Sequence, residues 1–159
     1  MPGYGVEAAD EGTGLLPWTW AVDRLTASHD FWLATTWPDG GRPHVMPVWG
    51  VWWQDALWFS GGLQSRKARN LEHDQRCVFT TDDARNPVVV EGIAARVSTA
   101  DVIAGFNDAV NAKYDTDYSV DFYDPAVNGV FRVEPVWAFS VAEDDFSGSP
   151  TRWDFSPAR

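Results

Sequence analysis

The stretch WFSGGLQSRKARNL, Trp58 to Leu71, decides how the chain reads. Its opening residues favour strand, Gly61 and Gly62 interrupt them, and from Ser65 the apolar positions fall at helical spacing with Ala68 and Leu71. A strand that gives way to a helix through a glycine loop aims unpaired N–H groups and the positive end of the helix dipole at that loop. Ser65 adds a hydroxyl there, and Arg66 and Lys67 add charge, so the segment has the parts of an anion cradle. An N-capped surface helix with basic residues satisfies the same spacing equally well. The glycine and Lys-Ser/Thr spacings of a P-loop or a dinucleotide-binding turn are absent.

Working outward, the pattern is mostly strand. Phe31 to Trp37 is stopped by Pro38–Gly41 and resumes from His44 to Trp53, a hairpin signal, and Gln54 with Asp55 makes a second tight turn into ALWFSG. After the central helix come Cys77 to Thr81 and then NPVVVEGIAARVS, a long strand in which Gly92 marks a bulge or bend. A last long strand spans Gly129 to Val141. Helices are expected from Pro17 to Ser28, with Leu25 and Ala27 on the apolar face, and from Ser98 or Thr99 to about Lys113. The central helix carries Ala68, Leu71 and His73 on its periodic face. Hairpins join the strands and no βαβ alternation occurs, so the expected fold is mainly β, an antiparallel barrel with a few peripheral helices. Residues 1–14, rich in Gly and acid, read as a flexible arm, and residues 15–159 as one domain.

Composition narrows the partners. The net charge is −11, with ten Arg and only two Lys, Lys67 and Lys113. That balance opposes nucleic acid and anionic membrane surfaces, and it makes the group Arg66, Lys67, Arg69 stand out. No apolar run approaches a membrane span and no signal peptide is readable, so the expectation is a cytoplasmic protein. The one cysteine, Cys77, lies in an apolar strand and reads as a core thiol. His29, His44 and His73 lack ligand spacing, and Asp115, Asp117, Asp121 and Asp124 lack the ordered calcium-loop pattern, so no metal is expected. No nucleophilic triad is readable either.

From Phe31 to about Ser98, and again from Gly129 to Val141, the chain resembles the pyridoxamine 5′-phosphate oxidase-like superfamily of flavin- and deazaflavin-binding split barrels. The run WFSGGLQSRKARNLEHD is similar to the family's strand, loop and Ser-Arg-Lys triplet, and NPVVVEGIAARVS to its next long strand. The resemblance implies that Ser65, Arg66 and Lys67 hold a cofactor phosphate, with Ser60 beside it. It implies that Pro47, Val48 and Trp49 flank the ring system with backbone groups on its pyrimidine edge. Asn70 matches a subfamily pattern of the same site, and a homodimer with the site at the subunit interface is implied as well. The chain departs from the vitamin-forming oxidases in a loop one residue longer between Ser60 and Ser65, in Pro87 at a usual Gln position, and in lacking their C-terminal substrate motif. RKARNL, the Pro47–Trp49 strand and the terminal TRW resemble instead the branch that uses the deazaflavin F420. The implied function is hydride transfer between F420 and an unsaturated small molecule. The alternatives are an FMN flavoprotein of the same fold and a non-catalytic flavin or deazaflavin carrier. Trp49 is the Trp expected at the cofactor ring, Trp52 and Trp58 are expected in the core or a dimer face, and Trp153 anchors the tail or folds over the pocket.

Overall fold

A computed structural model describes residues 14–155, so the expected N-terminal arm lies outside the described residues except for Gly14. Helix α1 (Trp18–Ala27) leads into β1 (Asp30–Thr36), β2 (Pro43–Trp53) and β3 (Ala56–Gly62). Helix α2 (Arg66–His73) follows, then β4 (Arg76–Thr81), β5 (Val88–Val97), α3 (Ala100–Tyr114), β6 (Asn128–Ser140) and β7 (Thr151–Asp154). The strands are ordered β3-β2-β1-β4-β5-β6-β7, and a further β3–β6 pairing closes six of them into an antiparallel barrel with β7 hung on β6. The expected split-barrel architecture is therefore the observed one. The tail contributes a strand that its sequence did not announce: Trp153 packs edge-on to Trp18, 5.2 Å between ring centroids.

Alternation along β1 and β4 puts Phe31, Leu33 and Phe79 in the barrel, where they meet Leu57, Phe59, Val90 and Val133. Helix α1 closes one end with Ala21 and Leu25, whereas Ala27, expected on that apolar face, is exposed. A second cluster lies under α3, where Ile103, Phe106 and Val110 cover Val51, Trp58 and Tyr123. The Trp58 indole N–H, buried there, is satisfied by the Trp53 carbonyl at 2.8 Å. On α2 the buried residues are Ala68, Asn70 and Leu71, and His73 points to solvent instead of the core.

The β2–β3 turn is built on Gln54 and Asp55, both at positive φ (50° and 54°), the twist a two-residue hairpin requires. In β5 the expected irregularity is present as a register shift between Glu91 and Gly92. Glycine is needed there because a Cβ at position 92 would lie 2.6 Å from the Glu134 carbonyl oxygen and 2.6 Å from Val133.

One seam of the barrel is incomplete. Strand β2 pairs with β1 from Pro43 to Trp49 but with β3 only from Gly50 to Trp53. Beyond that point β3 continues alone toward β6, pairing Ser60, Gly61 and Gly62 with Val130, Gly129 and Asn128. The two strands diverge into a crevice whose walls are the free edge of residues 43–49 and the free edge of residues 60–62.

Candidate functional site

The crevice is bounded at one end by the start of α2. Ser65 is its N-cap, and the hydroxyl accepts from the Ala68 N–H at 3.4 Å, a long bond that leaves the oxygen open to a better partner. Lys67 folds back over the glycine loop: a Cβ on Gly61 would lie 2.8 Å from its Cε and 3.2 Å from its Nζ, with the Ser65 hydroxyl at 3.9 Å. The missing side chain at 61 is thus the space the ammonium occupies. Burial of this lysine lowers its pKa from the ordinary value, and no carboxylate pairs with it among the described residues. An unpaired, half-buried ammonium beside a hydroxyl and a helix N-terminus is an arrangement that an anion completes. Ser60, partly exposed on β3, lies immediately before that loop.

The other side chains of the triplet region make contacts of their own. The Arg66 guanidinium lies 3.5 Å over the ring of Trp37, which also carries Arg42 at 4.0 Å, so two cations gather on one indole at the β1–β2 turn. Arg69 donates to the Gln64 side chain across the start of the helix. Asn70 is wholly buried, its Nδ2 donating to the Thr35 hydroxyl at 2.9 Å and its Oδ1 without a partner among the described residues. It ties α2 to β1 and offers a ligand in the crevice no exposed atom.

Where the β2–β3 seam divides, α3 packs against β2 from the β1 side, opposite the crevice. The Tyr114 hydroxyl accepts from the Gly50 N–H at 2.8 Å and donates to the His29 carbonyl at 2.6 Å, and the Lys113 ammonium donates to the Gly50 carbonyl at 2.6 Å. Burial pulls Lys113 down to about 8, partly opposed by Asp30 and Asp82, and the same desolvation pushes Tyr114 up to about 12. The Gly50 amide groups therefore point toward the β1 side, where His29 lies. Successive residues of a strand direct their amide groups to opposite edges, so those of Val48 also turn to β1, while those of Trp49, Pro47 and Val45 face the crevice. Proline at 43 and 47 fits this parity, since neither is required to donate into the β1 ladder. Of the three residues expected at the cofactor ring, Val48 is buried and turned away. Trp49 is 48% exposed and stacks on Tyr114 with centroids 4.3 Å apart at 3°.

Nothing in the local spacing of the chain announced Trp37, Arg42, Lys113 or Tyr114 as neighbours of this site. The pairing register brings Trp37 and Arg42 there, and the packing of α3 on β2 brings Lys113 and Tyr114. Among the described residues no three His, Cys, Asp or Glu side chains come together as a metal-ligating group, and no helix is long and apolar enough to cross a membrane.

Residues 21–142 match the family model described as pyridoxamine 5′-phosphate oxidase. No curated protein matches the chain by sequence. Among solved structures, one named F420 reductase is 25% identical, with a TM-score of 0.58 over 71% of this chain and 90% of that one. A conserved hypothetical protein from Mycobacterium tuberculosis is 23% identical, with a TM-score of 0.67 over 91% of each chain. The general stress protein 26 of Bacillus anthracis, 12% identical, superposes with a TM-score of 0.62 over 84% of this chain and 95% of that one.

Proposed function

The chain belongs to the pyridoxamine 5′-phosphate oxidase family, and from that premise we propose that it is an oxidoreductase holding a deazaflavin, F420, or else FMN, in the crevice between β2 and β3. The observation that carries this reading is the Lys67 ammonium lodged over Gly61 beside the Ser65-capped start of α2, at the mouth of an unpaired strand edge.

Both cofactors carry a ribityl-linked phosphate that this cradle suits, terminal in FMN and an internal diester in F420, because a phosphate accepts from Lys67, the Ser65 hydroxyl and the helix N–H groups together. The crevice edge of β2 offers the N–H groups of Val45 and Trp49 and the carbonyls of Val45, Pro47 and Trp49, donors and acceptors of the kind a pyrimidine ring edge pairs with. Tyr114 and Lys113 keep that edge in place through Gly50. Such a cofactor supplies hydride transfer when bound, and the chain then has to bind, orient and screen it, so that no catalytic triad is required of its side chains. The resemblance of RKARNL and the likeness to a structure named F420 reductase favour the deazaflavin over FMN.

The same reading includes a homodimer. Cross-strand partners Trp32 with Pro47 and Ala34 with Val45 put an apolar patch on the outside of β1 and β2, with Trp32 47% and Val45 51% exposed. An open groove of about 500 Å³ bordered by Ala34, Pro43, Val78 and Ile93 continues it across β4 and β5. A second copy seated there would remove this surface from water and wall the crevice. Light scattering should give twice the chain mass, and Trp32→Glu should give monomer; a monomeric wild type refutes the dimer. For the cofactor, separate titrations with F420 and FMN followed by tryptophan quenching should show saturable binding that Lys67→Met weakens. Binding of neither cofactor, or an affinity that Lys67→Met leaves unchanged, refutes the assignment.

A further inference from the structure

Away from the crevice, a cavity of about 520 Å³ lies where α1, the β2–β3 turn, β6 and the end of β7 meet. Its lining combines three aromatic rings, Trp18, Trp52 and Phe155, with Asp55 and the ion pair of Arg132 and Glu134. None of these residues belongs to the candidate cofactor site.

The rings form a corner and not a stack. Trp18 stands 6.2 Å from Trp52 at 71° and 4.7 Å from Phe155 at 64°, centroid to centroid. Trp18 and Trp52 are also packed against the barrel core, which fixes their orientation before any ligand arrives. Steeply inclined rings with fixed positions are how proteins surround an alkylated ammonium group, whose diffuse positive charge is drawn to the negative faces of the rings.

Charge decides which ligand suits the space. The Arg132 guanidinium is engaged by Glu134 and lies 5.9 Å over the buried Trp58 ring, so its charge is met within the protein. The Asp55 carboxylate has no hydrogen bond or ion pair among the described residues. An anion would meet the Asp55 carboxylate, which repels it, and no unpaired cation, because Glu134 and Arg132 engage each other. A neutral apolar ligand would strip water from Asp55 and give it nothing in return. A cation with apolar substituents satisfies rings and carboxylate together, and the net charge of −11 draws cations to the surface in general.

We propose that this cavity binds a small organic cation bearing an alkylated ammonium group. Choline chloride and its uncharged isostere 3,3-dimethyl-1-butanol, titrated into the full chain by calorimetry, separate charge from shape. Choline should bind saturably with a dissociation constant on the order of millimolar, and the isostere at least about tenfold more weakly. Asp55→Asn, suited to the left-handed backbone at that turn, should weaken choline about tenfold with no change in melting temperature. Trp18→Phe should weaken it by a smaller factor. The proposal is overturned if choline does not saturate, if the isostere binds equally well, or if neither variant alters choline binding.

Discussion

Strands β5 and β6 pair over ten residues, from Val88 with Ser140 to Val97 with Val130, whereas β2 and β3 pair over four. The long seam has buried side chains along one face and takes up a bulge at Gly92 without opening. The short seam ends at Gly50 and parts into two free edges, one with Lys67 lodged at its glycine loop. Stability is concentrated where the backbone is fully paired, and ligand capacity where pairing stops and N–H and C=O groups face outward. The two seams make the difference testable, because each contains a glycine beside which a Cβ has no free space.

The largest effect belongs to the closed seam. In Gly92→Ala the new methyl meets the Glu134 carbonyl and Val133, and backbone in a ten-residue ladder cannot step aside. Overpacking of this kind should cost about 3 kcal/mol of unfolding free energy, read as a lower urea midpoint. Gly61→Ala is crowded too, but by the far end of a flexible lysine. Its unfolding free energy should change by less than about 1 kcal/mol. Displacing the ammonium should still weaken cofactor binding nearly as much as Lys67→Met, for which the loss of a charged hydrogen bond predicts about 2 kcal/mol, roughly thirtyfold. If Gly61→Ala were the more destabilising of the two glycine variants, the division between the seams would be wrong.

The closed seam was the more legible in the sequence. Its strands show alternation over long stretches, and a glycine inside VVVEGIAAR signals a bulge by itself. Ser65 as a helix cap was legible for a similar reason, since capping depends on residues three positions apart. The rest of the open seam depends on contacts distant in sequence. Asn70 looks like any polar residue on a basic helix, yet it pairs with Thr35 in the interior. Arg66 lies over Trp37, a partner that only the β1–β2 turn brings near. The clamp on Gly50 comes from a helix that begins fifty residues later, and its Lys-Tyr pair has no local periodicity that marks it. The β7 strand was missed because four residues of a short tail carry too little pattern.

That clamp is the next place to press on the comparison. Tyr114→Phe keeps the ring stacked on Trp49 but leaves the Gly50 N–H without its partner at the point where the seam divides. An amide left unsatisfied there should cost about 1.5 kcal/mol of unfolding free energy. Cofactor affinity should fall by less than in Lys67→Met, because the edge of β2 loosens while the anion cradle is untouched. Equal losses in the two variants would mean that the β2 edge, and not the cradle, dominates binding.

The smallest effect distinguishes the seams by pH. Lys113, bonded to Gly50 on the β1 side where the seam divides, is pulled down to about 8 in the folded chain from an ordinary 10.5, because burial disfavours its charge. Between about pH 8 and 9 the folded state releases this proton while the unfolded chain keeps it, so this residue makes stability rise with pH, by at most about 1.4 kcal/mol per unit. Cys77, in β4 beside Gly92, is pushed the other way, to about 12 from 9.0, again by burial. Its thiol stays protonated in the fold while the unfolded chain ionises, so its contribution is intact below pH 9 and is lost as pH rises from about 9 through 12. Urea midpoints compared with those of Lys113→Met should show the upward slope disappear between pH 8 and 9. Cys77→Ala should be less stable at neutral pH but fall less steeply than wild type above pH 9. A slope between pH 8 and 9 that survives Lys113→Met would show that the Lys113 ammonium at Gly50 is better solvated than its half-buried position implies, and that α3 packs on β2 more loosely than its bonds suggest.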